Sequence, residues 1–419
     1  MNAPGGIRSR LLLGFAAILL LFGIAMLVVR IRPHFAGQRL AAPAALALSS
    51  FDKLPGWAQA DLRPALAAFG NTCRVLGGKP PAMPLGGAGY GGAVSDWRRV
   101  CAGLPSGSPS ATVARRYFES GFQPLEVVSD SQPAGLFTGY YEPELSGSRT
   151  PRGAYQTPVF GPPSNLVSAD LGLFRPQWSG QKLYGCLTAK RLAPCASRGA
   201  IAAHGLPDAP VLFYVNDPVA LFFLHIQGSG RVRLDNGGTV RAVYAGQNGR
   251  PYRPIGRTLI EHRWLDRAQM SMQSIRAWLK AHPQQARGVM ETDPSYVFFD
   301  EQPLGDPDKG AVGSEGVPLT AGASLAVDAR VHPLGVPVYV ATSRPDAKPS
   351  RPDHPFSQLL IAQDTGGAIR GPARGDVYWG WGGSAESIAG RMKARGRFFV
   401  LVPKAVAARL GRRRTVPLS

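Results

Sequence analysis

Two aspartates near the C-terminus are the strongest candidates for chemistry in this sequence. An apolar run, Leu359-Leu360-Ile361-Ala362, predicts a buried strand that reaches Asp364, and two glycines after it allow a sharp turn. A second short run begins at Asp376. Two carboxylates joined by a glycine-rich connection can face one cleft, which suits acid–base chemistry on a sugar or an acyl group. Asp and Gly are also ordinary turn residues, so the stretch by itself leaves a structural role equally open.

A third aspartate, Asp328, ends another strand-like run and widens the choice of chemistry. Three carboxylates can bind a metal ion, move protons or make buried structural hydrogen bonds. A metal site is the least favoured, because no histidine lies at ligand spacing, and we predict neither a metal nor a cofactor. Arg330 follows Asp328 closely and can pair with it, which favours a structural role for this carboxylate.

A polar segment, Leu224–Val232, has the composition of a sugar-binding rim. Gln227 and Ser229 can exchange hydrogen bonds with hydroxyls and amides, although a simple hairpin loop has the same composition. His225 lies between apolar residues and is expected in the core. Four aromatic residues could either stack on sugar faces or belong to the core, and the core is the commoner place: Tyr140, Tyr141, Trp379 and Trp381.

The elements that must position these residues are expected to be mainly strands. The chain has 419 residues with 51 Gly and 38 Pro, which implies many turns and short strands. Helical spacing or start signals predict three helices, near 62–73, from Ser108 to Gly121, and over 257–281. Strand-like runs are Leu136–Glu142, Val211–Val215, Leu221–Ile226, Ser295–Phe299, Leu325–Asp328, Val336–Val340 and Arg397–Val402.

The N-terminus and the charge balance indicate where the protein works. Leu11–Val29 is uncharged and just long enough to span a bilayer, which predicts an uncleaved signal-anchor with the body outside the cytoplasm. Cleavage within residues 41–47 is the alternative. The formal charge of +20 indicates an anionic partner, and no nucleic-acid-binding motif is present. Arg412-Arg413-Arg414 predicts a solvated, frayed tail.

The four cysteines, Cys73, Cys101, Cys186 and Cys195, predict disulfides in such an oxidising compartment. Three pairings are possible, and proximity in sequence favours Cys73–Cys101 with Cys186–Cys195. No pair has the spacing of a zinc site.

Taken together, the motifs resemble the membrane-bound lytic transglycosylase A (MltA) family, which cleaves peptidoglycan. The segments that carry the resemblance run in family order from about Leu54 to Pro403. They are Thr138–Pro143, His225–Gly230, Met270–Gln273, Pro294–Phe299, Gly316–Thr320 and Asp364–Gly380. The last of them also resembles the small 3D domain, named for three aspartates, here Asp328, Asp364 and Asp376.

The resemblance implies a mainly β fold, with a double-psi β-barrel built from both ends of the chain and a second β-barrel inserted in it. The expected parts are an N-terminal segment and linker (1–50), the first barrel (51–143 and 293–405), the inserted barrel (144–292) and a basic tail (406–419). It also implies that Asp376 is the sole catalytic acid/base and Asp364 its neighbour. The remaining groove residues would be Thr138, Tyr140, Gln227, Ser229 and Gly230.

The activity implied is cleavage, without water, of the β-1,4 bond between N-acetylmuramic acid and N-acetylglucosamine, giving a 1,6-anhydro sugar. Peptidoglycan strands would be the partner, on the periplasmic side of the envelope. One alternative is an aspartic protease, because Asp364-Thr365-Gly366 has the Asp-Thr-Gly pattern. A second such motif is needed, and the nearest, Asp130-Ser131, continues with Gln132 and fails. The other alternative is a cell-wall-binding module without catalysis.

Overall fold

The computed structural model describes residues 44–129, 135–175, 178, 181–411 and 415–418. The predicted apolar segment Leu11–Val29 and the arginines Arg412–Arg414 lie outside these residues. Within the described part of the chain, no helix combines the length and the apolar character needed to cross a membrane.

Eighteen strands and ten α-helices are described. The strands are β1 (Ala44–Leu48), β2 (Phe122–Ser129), β3 (Gly135–Glu142), β4 (Glu144–Ser148), β5 (Thr157–Phe160), β6 (Leu166–Asp170), β7 (Lys182–Thr188), β8 (Arg191–Ala193), β9 (Val211–Val215), β10 (Ser229–Leu234), β11 (Thr239–Gln247), β12 (Val297–Pro303), β13 (Ser324–Val327), β14 (Pro337–Arg344), β15 (His354–Thr365), β16 (Arg374–Trp381), β17 (Lys393–Pro403) and β18 (Thr415–Pro417). The helices are α1 (Arg63–Gly77), α2 (Val94–Ala102), α3 (Ala111–Gly121), α4 (Arg198–His204), α5 (Pro218–Gln227), α6 (Ile255–Glu261), α7 (Met272–Ala281), α8 (Pro283–Glu291), α9 (Gly382–Ala389) and α10 (Lys404–Leu410).

A closed barrel is the largest feature of the fold. Strands β14, β15, β13, β16, β3 and β17 are hydrogen-bonded in that order, and β17 pairs with β14 to close the ring. The sheet continues from β17 through β2 and β1 to β18. Strands from both ends of the chain therefore share one barrel, and the predicted mainly β fold with a double-psi β-barrel is confirmed.

The barrel core is apolar, and the N-terminal helices pack against it. Val338, Ile361 and Val400 are fully buried in this core, together with Phe69 of α1. Their burial removes apolar surface from water, which is the main favourable term in folding. A disulfide joins Cys73 of α1 to Cys101 of α2.

The second sheet has the order β12-β11-β10-β4-β9-β5 and packs against α5. The prediction of a strand over Leu221–Ile226 was wrong, because these residues lie inside α5. Asp217 caps this helix by accepting hydrogen bonds from two backbone N–H groups, and Gly228 ends it with φ +82°. A short continuous apolar run fits a buried helix as well as a buried strand, and Leu221–Leu224 are buried on all sides.

A third, three-stranded sheet has the order β6-β7-β8. The second disulfide joins Cys186 of β7 to Cys195, just beyond β8. Both disulfides are the pairs that sequence proximity favours.

Three further expectations need correction. The helix predicted over 257–281 is two helices, α6 and α7, because Arg263 between them has a left-handed φ of +58°. Ala44–Leu48, expected in the N-terminal linker, forms β1 and pairs with both β2 and β18. The prediction of a frayed tail was wrong for its described residues, 406–411 and 415–418. They belong mainly to α10 and β18, β18 pairs with β1, and Leu418 joins the barrel core.

Candidate active site

The register of the barrel strands brings the two candidate aspartates level with each other. Strand β13 lies between β15 and β16, and its Ala326 is opposite Asp364 on one side and Asp376 on the other. Residues directly opposite across a ladder point to the same face. Two strand spacings of about 4.8 Å place the two Cα atoms about 10 Å apart. Both carboxylates therefore line one face of the barrel wall.

Asp376 makes a hydrogen bond with the strand beside it. Thr138, opposite Asp376 on β3, donates its hydroxyl hydrogen to Oδ1 of Asp376. The same hydroxyl accepts a hydrogen bond of 2.7 Å from the guanidinium of Arg374, which precedes Asp376 by two positions on β16. Thr138 thus bridges Arg374 and Asp376 by hydrogen bonds, and the positive charge of Arg374 lies close to the Asp376 carboxylate.

Burial raises the pKa of Asp376, because the charged form loses its water. The positive charge of Arg374 and the hydrogen bond from Thr138 oppose this shift, and the negative charge of Asp364 adds to it. The net result is a raised pKa. Asp376 therefore keeps its proton to a higher pH than a solvated aspartate does, as a general acid must.

Asp364 is held by more donors than Asp376. Its Oδ2 accepts a hydrogen bond of 2.9 Å from Tyr140 Oη. Its Oδ1 accepts from Ser314 N at 3.0 Å, Ser314 Oγ at 2.8 Å and Thr365 N at 2.9 Å. Burial raises the pKa of Asp364, and these hydrogen bonds, which favour its ionised form, offset that rise only in part. A carboxylate fixed in this way is better suited to orient a neighbour than to move a proton.

Tyr140 is a dependable donor in this arrangement. Burial raises the pKa of its phenol far above the ordinary range, and the charge of Asp364 raises it further. The Tyr140 hydroxyl thus stays protonated.

The polar segment at the end of α5 is joined to the strand of Tyr140 by a hydrogen bond to its backbone. Gln227 Oε1 accepts a hydrogen bond of 3.0 Å from the backbone N–H of Tyr141, the residue after Tyr140. A Cβ at Gly230 would lie 2.6 Å from Leu224 Cδ1 and 2.7 Å from the Pro143 carbonyl oxygen, so no larger residue fits. Ser229 and Gly230 open β10, and no hydrogen bond among the described residues joins them to either aspartate. The structure therefore brings together four of the predicted residues: Asp376, Asp364, Thr138 and Tyr140. Gln227 is joined to them only through the backbone of Tyr141.

Two residues of this cluster escaped the sequence analysis. Arg374 could have been found, since a strand alternates its side chains and the residue two before Asp376 must share its face. Ser314 carried no signal, because it lies 50 positions from Asp364 in a loop.

A buried ionic cluster behind the site was also missed. Glu142, at the end of β3, is fully buried and accepts hydrogen bonds from Tyr378 Oη at 2.5 Å, Ala311 N at 2.7 Å and Arg241 Nε at 3.0 Å. Arg231 Nε lies 3.6 Å from the same carboxylate. The two arginines belong to β10 and β11 of the second sheet. The cluster therefore ties that sheet to the barrel strands β3 and β16, and the Tyr378 ring packs on Tyr140.

Asp328 has the structural role that its sequence neighbours indicated. It accepts hydrogen bonds from Arg330 at 2.9 and 2.6 Å and from the Gly371 N–H at 2.9 Å. Burial alone would raise the pKa of Asp328, but these bonds and the Arg330 charge lower it. Across the described ranges, no group of three or more His, Cys, Asp or Glu side chains is arranged to hold a metal ion.

The remaining candidates divide between core and surface. His225 is buried against Tyr296 and Phe299, and its Nδ1 lies 2.7 Å from Arg198. Tyr141 is also buried, whereas Trp381 is half-buried beneath the guanidinium of Arg231 at 3.6 Å. His225 and Tyr141 therefore belong to the core.

Known proteins match this chain in both sequence and structure. A model of the MltA specific insert domain matches residues 136–300, and a model of the 3D domain matches residues 323–402. Membrane-bound lytic murein transglycosylase A of Escherichia coli (strain K12) is 32% identical over 267 residues, 63% of this chain and 65% of that protein. This chain thus spans less than two thirds of that relative's length.

Two solved structures extend the match over most of the chain. The membrane-bound lytic murein transglycosylase from Agrobacterium tumefaciens is 32% identical with a TM-score of 0.74, covering 87% of this chain and 99% of that one. E. coli MltA with bound chitohexaose is 26% identical with a TM-score of 0.63, covering 86% of this chain and 96% of that one.

Proposed function

The chain belongs to the membrane-bound lytic murein transglycosylase A family, and we propose that it cleaves the glycan strands of peptidoglycan without water. The bond broken joins N-acetylmuramic acid to N-acetylglucosamine. The observation that supports this most strongly is the arrangement of the two aspartates. The buried Asp376 lies opposite Thr138 and level with Asp364, which several donors hold in place.

In the first step Asp376 acts as a general acid. Its raised pKa keeps it protonated, and it gives the proton to the glycosidic oxygen as that bond breaks. Thr138 and Arg374 stabilise the carboxylate that this transfer creates. Asp364 keeps its hydrogen bonds in both steps, and its negative charge helps to raise the pKa of Asp376.

In the second step Asp376 acts as a base. It takes the proton from the C6 hydroxyl of the muramyl residue while that oxygen attacks C1, which closes a 1,6-anhydro ring. The nucleophile is part of the substrate, so a second catalytic carboxylate is not required, unlike in the usual glycosidase pair. A well-oriented internal nucleophile can contribute about 7–11 kcal/mol.

The groove residues we propose are Thr138, Tyr140, Gln227, Ser229 and Gly230. They belong to β3, the end of α5 and the start of β10, so a glycan would lie where the barrel (51–143 and 293–405) meets the inserted part (144–292). The bound chitohexaose of the E. coli relative supports a groove for N-acetylated sugars. The net charge of +20 suits an anionic wall polymer.

We place the protein on the periplasmic side of the envelope, held at a membrane by Leu11–Val29 or released after cleavage of that segment. Two relatives carry the word membrane-bound in their names, which supports this location.

Digestion of purified peptidoglycan sacculi tests the proposal against its two alternatives. The chain should release soluble muropeptides, and Asp376→Ala should bind sacculi but release none. A wall-binding module would bind and release nothing in either form. A protease would release peptides and leave the glycan intact. In a protease pair the two carboxylates are adjacent and share one proton, whereas β13 separates the strands that carry the two aspartates here.

A further inference from the structure

The three-stranded sheet β6-β7-β8, called the flap below, has one apolar face that nothing in the described structure covers. In its ladders Val167 is opposite Gly185, Ala169 is opposite Leu183, and Leu187 is opposite Leu192. These residues share one face, because opposite residues point the same way. The large ones, Val167, Leu183, Leu187 and Leu192, are 39–49% exposed.

The other face of the flap is the one that docks on the protein. Leu166 packs in the small core formed with Phe160, Ile201 and Phe298. Tyr184 meets the ring of Tyr244 on β11. The Cys186–Cys195 disulfide closes the sheet on itself. The flap is therefore held in place with its leucine face turned outward.

The tip of the flap continues this apolar surface. Leu173 and Phe174, in the turn that leads from β6 toward β7, are 86% and 71% exposed, and Leu173 is the most exposed large apolar side chain described. Single exposed apolar residues are ordinary, whereas a contiguous group marks an interaction surface.

The charges around this surface decide what it meets. Between residues 166 and 195 the sequence has four basic residues, Arg175, Lys182, Lys190 and Arg191, and one acid, Asp170. Asp170 is engaged in capping the backbone of Gly172. All four basic side chains are exposed: Arg175 and Lys190 lie in turns, while Lys182 and Arg191 lie at strand ends and alternate onto the face opposite the leucines. An apolar face with cations at its rim is the pattern of a segment that lies in the surface of an anionic bilayer.

We propose that the flap is a membrane-contacting surface, which inserts its leucine face and tip among the acyl chains of an anionic bilayer. Long basic side chains can bury their stems and keep their charges at the headgroups. A second copy of the chain fits less well, because it would bring two sets of cations together. A glycan also fits less well, since sugars stack on aromatic faces and the four large side chains of the leucine face are aliphatic. Of the two exposed aromatic residues near the tip, Phe174 and Trp178, the second is covered by the Arg175 guanidinium at 4.9 Å. The inference rests on the membrane location proposed above and is independent of the cleavage chemistry.

Site-specific labels can test the contact in the full chain. All four cysteines are in disulfides, so one introduced cysteine is the only free thiol. Leu187→Cys and Leu173→Cys would each carry an environment-sensitive fluorophore, with Met83→Cys, an exposed site between α1 and α2, as the control. The protein is reconstituted in bilayers of phosphatidylcholine or of phosphatidylcholine mixed equally with phosphatidylglycerol.

In the mixed bilayer we expect the labels at 187 and 173 to shift to the blue, to be quenched by spin-labelled lipid and to be protected from aqueous iodide. The label at 83 should stay in water. Lys182→Glu/Lys190→Glu should lower the inserted fraction by roughly fivefold for each cation removed, while Lys348→Glu/Lys404→Glu, with the same change in net charge, should not.

Iodide quenching at 187 and 173 that is unchanged by the mixed bilayer would overturn the proposal. So would a blue shift that depends on protein concentration in the absence of lipid, because a second copy would then cover the face. Release of muropeptides by the same labelled proteins is measured in parallel, so a failure of the cleavage reaction would be seen separately.

Discussion

The hydroxyl of Thr138 offers the sharpest single-atom test of how Asp376 works. Thr138→Val keeps the shape of the side chain and removes the hydroxyl that donates to Asp376 and accepts from Arg374. A hydrogen bond to a charged group contributes about 1.5–3 kcal/mol. When half of that energy is present in the transition state, the rate falls roughly 4- to 13-fold.

The pH dependence of the same variant gives an independent sign. The bond from Thr138 lowers the pKa of Asp376, so its loss raises that pKa further. The protonated acid then persists to a higher pH. The alkaline limb of the rate profile should therefore shift to higher pH, even though the maximal rate falls. Release of muropeptides from sacculi, measured across pH, gives both quantities.

Thr138→Ser, which keeps a hydroxyl, is the matched control and should stay close to the unmodified chain in both rate and profile. Two results would refute the reasoning. One is a Thr138→Val enzyme with unchanged rate and profile. The other is a Thr138→Ser enzyme as impaired as Thr138→Val, since shape and not the hydrogen bond would then matter.

Three further predictions concern Asp376, the buried ionic cluster and the disulfides. Asp376→Asn should slow turnover by roughly 10²- to 10⁴-fold or more while sacculus binding persists, and an active, folded variant would remove this residue from the role. Glu142→Gln should destabilise the fold by about 3–5 kcal/mol in urea unfolding, because two buried arginines lose their countercharge, whereas exposed Glu144→Gln should change little. Replacing Cys73 and Cys101 by Ser should lower the free energy of unfolding by roughly 3.6 kcal/mol. Replacing Cys186 and Cys195 by Ser should lower it by roughly 2.6 kcal/mol, since the first pair closes the longer loop. A larger loss on replacing Cys186 and Cys195 than on replacing Cys73 and Cys101 would contradict this dependence on loop length.

The sequence predicted best those features that depend on local pattern. The strands around Asp364 and Asp376 followed from an apolar run that reaches Asp364 and a second short run that begins at Asp376. The Asp328–Arg330 pair followed from its spacing of two residues. The barrel from both chain ends came from the resemblance and not from the pattern, because hydrophobic alternation does not say which distant strands pair.

The errors have physical causes. The helix α5 was missed because its run is apolar all round, although Asp217-Pro218 and Gly228 were visible cap signals. Ser314 and the Glu142 cluster could not be predicted, since both depend on contacts between segments far apart in the chain. Register is what turned separate aspartates into one site: Ala326 lies opposite both, and nothing in the three separate runs specifies that alignment.

The central claim is that a hydroxyl of the substrate replaces water as the nucleophile. Digestion of sacculi in water enriched in ¹⁸O, followed by mass spectrometry of the muropeptides, tests it most directly. The proposed reaction predicts 1,6-anhydromuramyl ends that lack one water and carry no label. Reducing ends labelled with ¹⁸O as the main product would contradict it, and the enzyme would then be a hydrolase with Asp364 as a second catalytic carboxylate.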